Sequence, residues 1–198
     1  MSTLPVAIPA IETPWTLPSR GRVGMFSLIA AESAIFTIFV VAYIFYIGQS
    51  LSGPTPRQVL HVPIFNTICL LSSSLTIHLA LSALRAGKGA TFKFWWLLTF
   101  ALGAVFLIGT GREWYHLIYE EGLTISTNLF GTTYYSLVGL HAFHVTAGLV
   151  GLAVVMILAL AGGVKREHAH RVDVLSLYWH FVDVVWVVVF TVVYIVGR

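Results

Sequence analysis

Charge is scarce in this chain. Only 10% of its 198 residues are charged, and 58% are hydrophobic, where soluble domains run near a quarter charged. Too little polar surface remains to clothe a water-soluble globule, and the mean hydropathy of +0.88 agrees. The single cysteine, Cys69, sits inside an apolar run. That excludes a disulfide framework within the chain and a CxxCH haem-attachment motif. A glycine-rich dinucleotide fingerprint is missing as well. Proline is absent from the interior of every long apolar run; four of the seven (Pro5, Pro9, Pro14, Pro18) lie near the amino terminus. No internal repeat is visible, which argues against an inverted-repeat transporter, as does the lack of Gly/Pro-broken helices. The net charge of +3 comes from basic residues beside apolar runs, the pattern of membrane loops rather than of a nucleic-acid surface. No nucleic-acid partner is expected.

What remains is membrane. Residues 1–21 form a proline-rich tail without helical periodicity, expected to lie extended on the membrane surface and not to be a cleaved signal peptide. Residues 22–198 are expected to form one all-α domain, a polytopic bundle of five transmembrane helices at about residues 23–47, 63–84, 92–110, 134–161 and 174–196. Each run reaches or approaches the ~20 residues that cross ~30 Å of hydrocarbon. Pro63 opens the second run, where its missing N–H is no loss. Eight basic residues (Arg20, Arg22, Arg85, Lys88, Lys93, Lys165, Arg166, Arg171) fall on one side of the bundle and three (Arg57, Arg112, Arg198) on the other. The positive-inside rule then places the amino terminus in the cytoplasm and the carboxyl terminus outside.

Ionisable residues inside these runs stand out, because an aspartate near a helix centre costs at least ~2.5–3.5 kcal/mol. The last run holds His180 and Asp183 on one face; the first holds Glu32, ~15 Å deep at 1.5 Å per residue. Burial disfavours the charged carboxylate, so each acid is expected neutral or paired. The fourth run carries His141 and His144 at i, i+3, on one helix face. Imidazoles are common metal and haem ligands, and with His78 and His180 a haem-binding, quinol-reactive bundle is conceivable. No matching histidine pair occurs on a second helix, however, so hydrogen-bonded histidines between closely packed helices are the favoured reading. Arg112 and Glu113, next to Trp114 and Tyr115, read as an interfacial anchor. His168 and His170, with Asp173, lie in a basic loop, either as solvated charge or as a proton-collecting surface.

The stretch Tyr178-Trp179-His180-Phe181-Val182-Asp183-Val184-Val185-Trp186 resembles the last helix of cytochrome c oxidase subunit III, the accessory subunit of haem–copper terminal oxidases. Gly24-Met25, Ala31-Glu32-Ser33 and Phe36 are similar to the family's helix with a buried, carbodiimide-reactive glutamate. Gly139-x-His141-x-x-His144-Val145-x-x-Gly148 matches a further family pattern, and Pro63, Asn66 and Thr67 look like the start of another helix. Three features depart from it. Ala142 replaces a usual glycine, Asp173 a glutamate, and an arginine at 112 is unusual. Five spans rather than seven resemble the short bacterial form, in which the first two helices and one wall of a lipid-filled cleft are absent.

The resemblance implies a non-catalytic subunit of the bacterial inner membrane. It would pack against subunit I, which holds haem and copper, and carry no redox cofactor of its own. Glu32, His141, His144, His180 and Asp183 would serve as buried polar, lipid or subunit contacts, with phospholipid bound at the interface. The subunit would support proton uptake and turnover stability in aerobic respiration, beside other oxidase subunits and within a larger respiratory supercomplex. The same fold also serves quinol oxidases and a relative accompanying nitric oxide reductase. Glu32 leans toward the cytochrome c branch.

Overall fold

The computed structural model describes residues 19–197. The proline-rich tail up to Pro18, and Arg198 among the outer basic residues, lie outside them. Helices account for most of what is described, with no strand among the described residues: α1 (Arg20–Tyr46), α2 (Pro56–Val59), α3 (Ile64–Arg85), α4 (Gly89–Tyr119), α5 (Leu129–Leu160) and α6 (Ala169–Phe190). A 3₁₀ turn at Arg166–His168 leads into α6, and a wide π-type turn over Thr191–Val196 prolongs it. All but the short α2 are long and apolar enough to cross a membrane.

Several helices outrun the expected spans. α4 has 31 residues and α5 has 32, so at 1.5 Å per residue both exceed ~30 Å of hydrocarbon. Polar residues such as Arg112 and His116 end the apolar run without interrupting the backbone ladder, so the helix continues into the interfacial layer.

Local chemistry sets the helix ends. Ser19 caps α1 by accepting from the Arg22 N–H, and Asn128 caps α5 by accepting from the Gly131 N–H at 2.8 Å. Gly87, at φ 74°, ends α3 in the left-handed conformation that side chains disfavour. Its N–H bonds the Leu84 carbonyl and that of Lys88 bonds Ala83. The chain then turns at once into α4, so α3 and α4 form an antiparallel hairpin.

α6 is the centre of the bundle, packed against α1, α3 and α5. Its Trp179 is fully buried and lies between two glycines. A Cβ on Gly103 of α4 would stand 2.8 Å from the indole, and one on Gly148 of α5 would stand 2.7 Å from it. The indole N–H donates to Ser73 Oγ of α3 at 2.8 Å. One side chain thus joins four helices. Trp96 of α4 similarly donates to the Leu152 carbonyl of α5 at 2.9 Å. α1 is different: it touches α5 and α6 on one side, and only Phe36 and Tyr43 of its 27 residues are buried.

Candidate functional site in the helix bundle

Three of the polar contacts that tie the helices together within the bundle are made by acidic side chains. Between α3 and α6, Ser74 Oγ lies 2.9 Å from His180 Nδ1, and its hydroxyl donates to Asp183 Oδ2. With that hydrogen directed at the carboxylate, Ser74 Oγ is left to accept from the imidazole. His180 and Asp183, on one face three residues apart, therefore share a serine of α3. The remaining Asp183 oxygen, Oδ1, is buried without a hydrogen-bond partner among the described residues.

Between α1 and α5, His144 Nε2 lies 3.1 Å from Glu32 Oε2. The other ring nitrogen, Nδ1, lies 2.8 Å from the Leu140 carbonyl. A carbonyl can only accept, so Nδ1 carries the hydrogen. Nε2 then meets Glu32 with one proton between them, held either as carboxylic acid and neutral imidazole or as carboxylate and imidazolium. Both forms are neutral overall, which is what a low-dielectric surround favours.

The third contact is at the ends of α4 and α6 away from Arg85, where the π-type turn carries Tyr194 against Glu113. The Tyr194 hydroxyl lies 2.9 and 3.0 Å from the two carboxyl oxygens, with Tyr134 of α5 beside it at 3.4 Å. Glu113 is thus turned into the bundle, while Arg112 is exposed and forms no ion pair with it among the described residues.

His141 does not join His144. It is fully buried, stacks on Trp186 with centroids 5.0 Å apart and meets the edge of Phe106; neither ring nitrogen has a hydrogen-bond partner among the described residues. Of the four candidate haem-ligand histidines, His141, His144 and His180 are therefore engaged at separate contacts and His78 is exposed, and among the described residues no three His, Cys, Asp or Glu side chains are placed to hold a metal ion.

At the Arg85 end of the bundle, Asp173 is buried and pairs with two arginines, Arg22 of α1 and Arg85 of α3, the latter at 2.9 Å. His170, exposed, bonds Ser19 through Nε2. His168 accepts the Lys165 N–H at 3.1 Å through Nδ1. Asp173 therefore belongs to an ionic knot between three helices, whereas His168 and His170 stay at the surface.

Sequence reasoning found the acids and histidines and missed their partners Ser74, Tyr194, Arg22 and Arg85. A signal for one of these was present. Ser72-Ser73-Ser74 is an unusual polar run inside an apolar span, and two of its hydroxyls serve α6.

These features define a five-span polytopic membrane protein in which the buried polar groups join one helix to the next. Residues 19–198 match the family model described as cytochrome c oxidase subunit III, and the chain belongs to that family. It is 39% identical to cytochrome c oxidase subunit 3 of Synechocystis over 90% of this chain and 76% of that protein. Against cytochrome c oxidase subunit 3 of Alkalihalophilus pseudofirmus it is 35% identical, over 92% of this chain and 90% of the relative. The cytochrome bo(3) ubiquinol oxidase subunit 3 of Pseudomonas aeruginosa is 36% identical, over 88% and 84%. The chain is therefore a subunit III of a haem–copper oxidase, of the cytochrome c or quinol type, and associates with other subunits of such a complex.

Proposed function

We propose that this chain is the non-catalytic subunit III of a proton-pumping terminal oxidase in the bacterial inner membrane, packed against the haem- and copper-bearing subunit I. Its amino terminus lies in the cytoplasm and its carboxyl terminus outside, following the eight-to-three division of basic residues. The observation that carries the reading is the bareness of α1, a helix that holds Glu32 yet buries two side chains in its own bundle. An apolar groove of about 510 Å³ runs between α1 and α6, with His180, Phe181, Phe36 and Ser33 among its lining. Subunit I and phospholipid acyl chains cover this side of α1 in the assembled oxidase. Glu32, held by His144, positions α1 for that contact. His168 and His170 collect protons at the cytoplasmic surface, and Asp173 anchors the helices beneath them. In this way the subunit supports sustained proton uptake and keeps the partner's active site from inactivating during turnover.

The test is purification in mild detergent through a tag on this chain, with a visible spectrum and identification of the co-purifying subunits. A haem–copper core is expected, with the colour leaving when this subunit is stripped away. A chain that emerges alone and still coloured overturns the reading. The likeness to the Pseudomonas aeruginosa ubiquinol oxidase subunit supports a second reading, in which the electron donor is a quinol; the haem types in the same spectrum separate the two.

A further inference from the structure

At the end of the bundle away from Arg85, α4 closes on His116-Leu117-Ile118-Tyr119 and is followed at once by Glu120 and Glu121. Two adjacent acids at a helix C-terminus are badly placed, because the free carbonyls there already carry partial negative charge. A cation in the same turn offsets them. His116 is the basic residue of that turn.

The fold brings its ring to both acids. His116 Nδ1 lies 2.7 Å from Glu120 Oε2, and Nε2 lies 3.6 Å from Glu121 Oε1. The first contact is a hydrogen bond in which the ring N–H donates, since a carboxylate can only accept. A neutral imidazole then has no hydrogen left for Nε2, and a lone pair faces the second carboxylate. Protonation reverses the sign of that contact and pairs the ring on both sides. The His116 carbonyl meanwhile accepts the Glu120 and Glu121 N–H groups at 2.9 and 3.2 Å. Side chain and main chain of one residue thus hold the same turn.

His61, exposed in the connection ahead of α3, faces the ring with centroids 6.3 Å apart. Glu120, Glu121 and His61 are the titratable groups against the ring among the described residues. Arg112, one turn earlier on α4, is exposed and pairs with none of them there. The first two turns of α3 and α5 hold no acid, lysine, arginine or further histidine, and Tyr135 of α5 donates instead to the Leu123 carbonyl at 2.8 Å. On either side of the acids the chain is pinned: Leu117 and Leu123 are fully buried, and the Leu123 N–H bonds the Leu117 carbonyl at 2.8 Å. The part free to respond is the exposed turn between them.

We propose that His116 is a pH-operated clasp on the end of α4: its imidazolium joins Glu120 to Glu121 and holds the last turn, and loss of the proton releases Glu121 and loosens it. The clasp closes as pH falls and opens as pH rises, within the range of about pH 5–8 where histidine changes charge. It stands on these contacts and not on the orientation proposed above. In that orientation it lies on the side to which a pump releases protons, and closes as that side acidifies.

The experiment is hydrogen–deuterium exchange of the intact oxidase complex in nanodiscs, at about pH 5.5 and about pH 8, with exchange times adjusted for the pH dependence of the chemical exchange itself. Mass spectrometry reads peptides covering residues 114–124. Wild type is expected to lose about two- to fivefold of its protection there at the higher pH, the size of one cation removed from a helix C-terminus. The end of α3 around Gly87, whose last turn has no histidine, should stay level. His116→Gln should abolish the response and leave protection at the wild-type level of the higher pH, and Glu121→Gln should shrink it. A wild-type segment as level as the end of α3 overturns the proposal, and so does an unchanged response in His116→Gln. A response that survives in His116→Gln but is lost in His61→Gln also overturns it, by assigning the charge change to His61. If the variants do not assemble, the wild-type comparison of the two helix ends decides.

Discussion

Glu32 and His144 show how a single proton can hold two helices together. The imidazole is oriented from behind by the Leu140 carbonyl, so its Nε2 is committed to α1, and the Glu32 side chain is 23% exposed there. Replacing Glu32 by alanine leaves Nε2 without its partner, at a cost of roughly 1–3 kcal/mol. Glutamine keeps a donor for the neutral imidazole. Thermal unfolding of the purified complex is therefore expected to drop by several degrees for Glu32→Ala and to change little for Glu32→Gln. Equal losses for the two would mean that the carboxyl proton matters in itself, not the bond. The residue types at these positions were legible in the sequence, because an acid or histidine in an apolar run announces a partner. The partners were not legible, since Glu32 and His144 are 112 positions apart and no local spacing rule connects them.

Helices in this bundle approach closely where glycine faces an aromatic ring. Trp179 fits between α4 and α5 because Gly103 and Gly148 present no Cβ, an arrangement in which packing and not the hydrophobic effect favours association. Gly148→Leu would drive a side chain into the indole and part α5 from α6. Overpacking of this kind typically costs 1–3 kcal/mol, occasionally more. The expected result is reduced recovery of the assembled complex and a lower unfolding temperature in detergent, while Gly162→Ala, at a loop glycine with open space, should cost less despite its φ of 76°. If Gly148→Leu assembles as well as wild type, the clamp has been misread. Gly148 stood in the sequence as part of the fourth run's motif, but nothing local to it showed the ring that fills the gap. The π-type turn at Thr191–Val196 was invisible there too. It adds a residue to the turn, and what it achieves, the meeting of Tyr194 with Glu113, depends on a distant helix. For the same reason Glu113 read as the interfacial partner of Arg112 and instead faces inward.

The bundle as a whole is asymmetric. α3 and α6 are half-buried or more along their apolar windows, whereas α1 is 11% buried, so one side of the molecule is left for a neighbour or for lipid. The orientation proposed for it in the bilayer rests on the distribution of charge. In whole cells, a cysteine placed at Arg57 is expected to react with a membrane-impermeant maleimide, and one placed at Lys88 only after the membrane is opened. The reverse pattern would invert the topology and move the surface histidines His168 and His170 to the outside, ending any role in cytoplasmic proton collection.

Composition and apolar run length were enough, by themselves, to determine a five-span helical membrane protein. Bilayer thickness sets helix length, and backbone polar groups in lipid leave the helix as the available form for such runs. The signature residues around Glu32, His141 and His180 were enough to point to the family. Only the tertiary structure decided which helices those residues join, that Asp173 lies in an ionic knot and not in a solvated loop, and that Glu113 turns inward to meet Tyr194. Those outcomes depend on side chains far apart in the chain meeting at distances of a few ångströms, and the periodicity of a single helix carries no information about its neighbours.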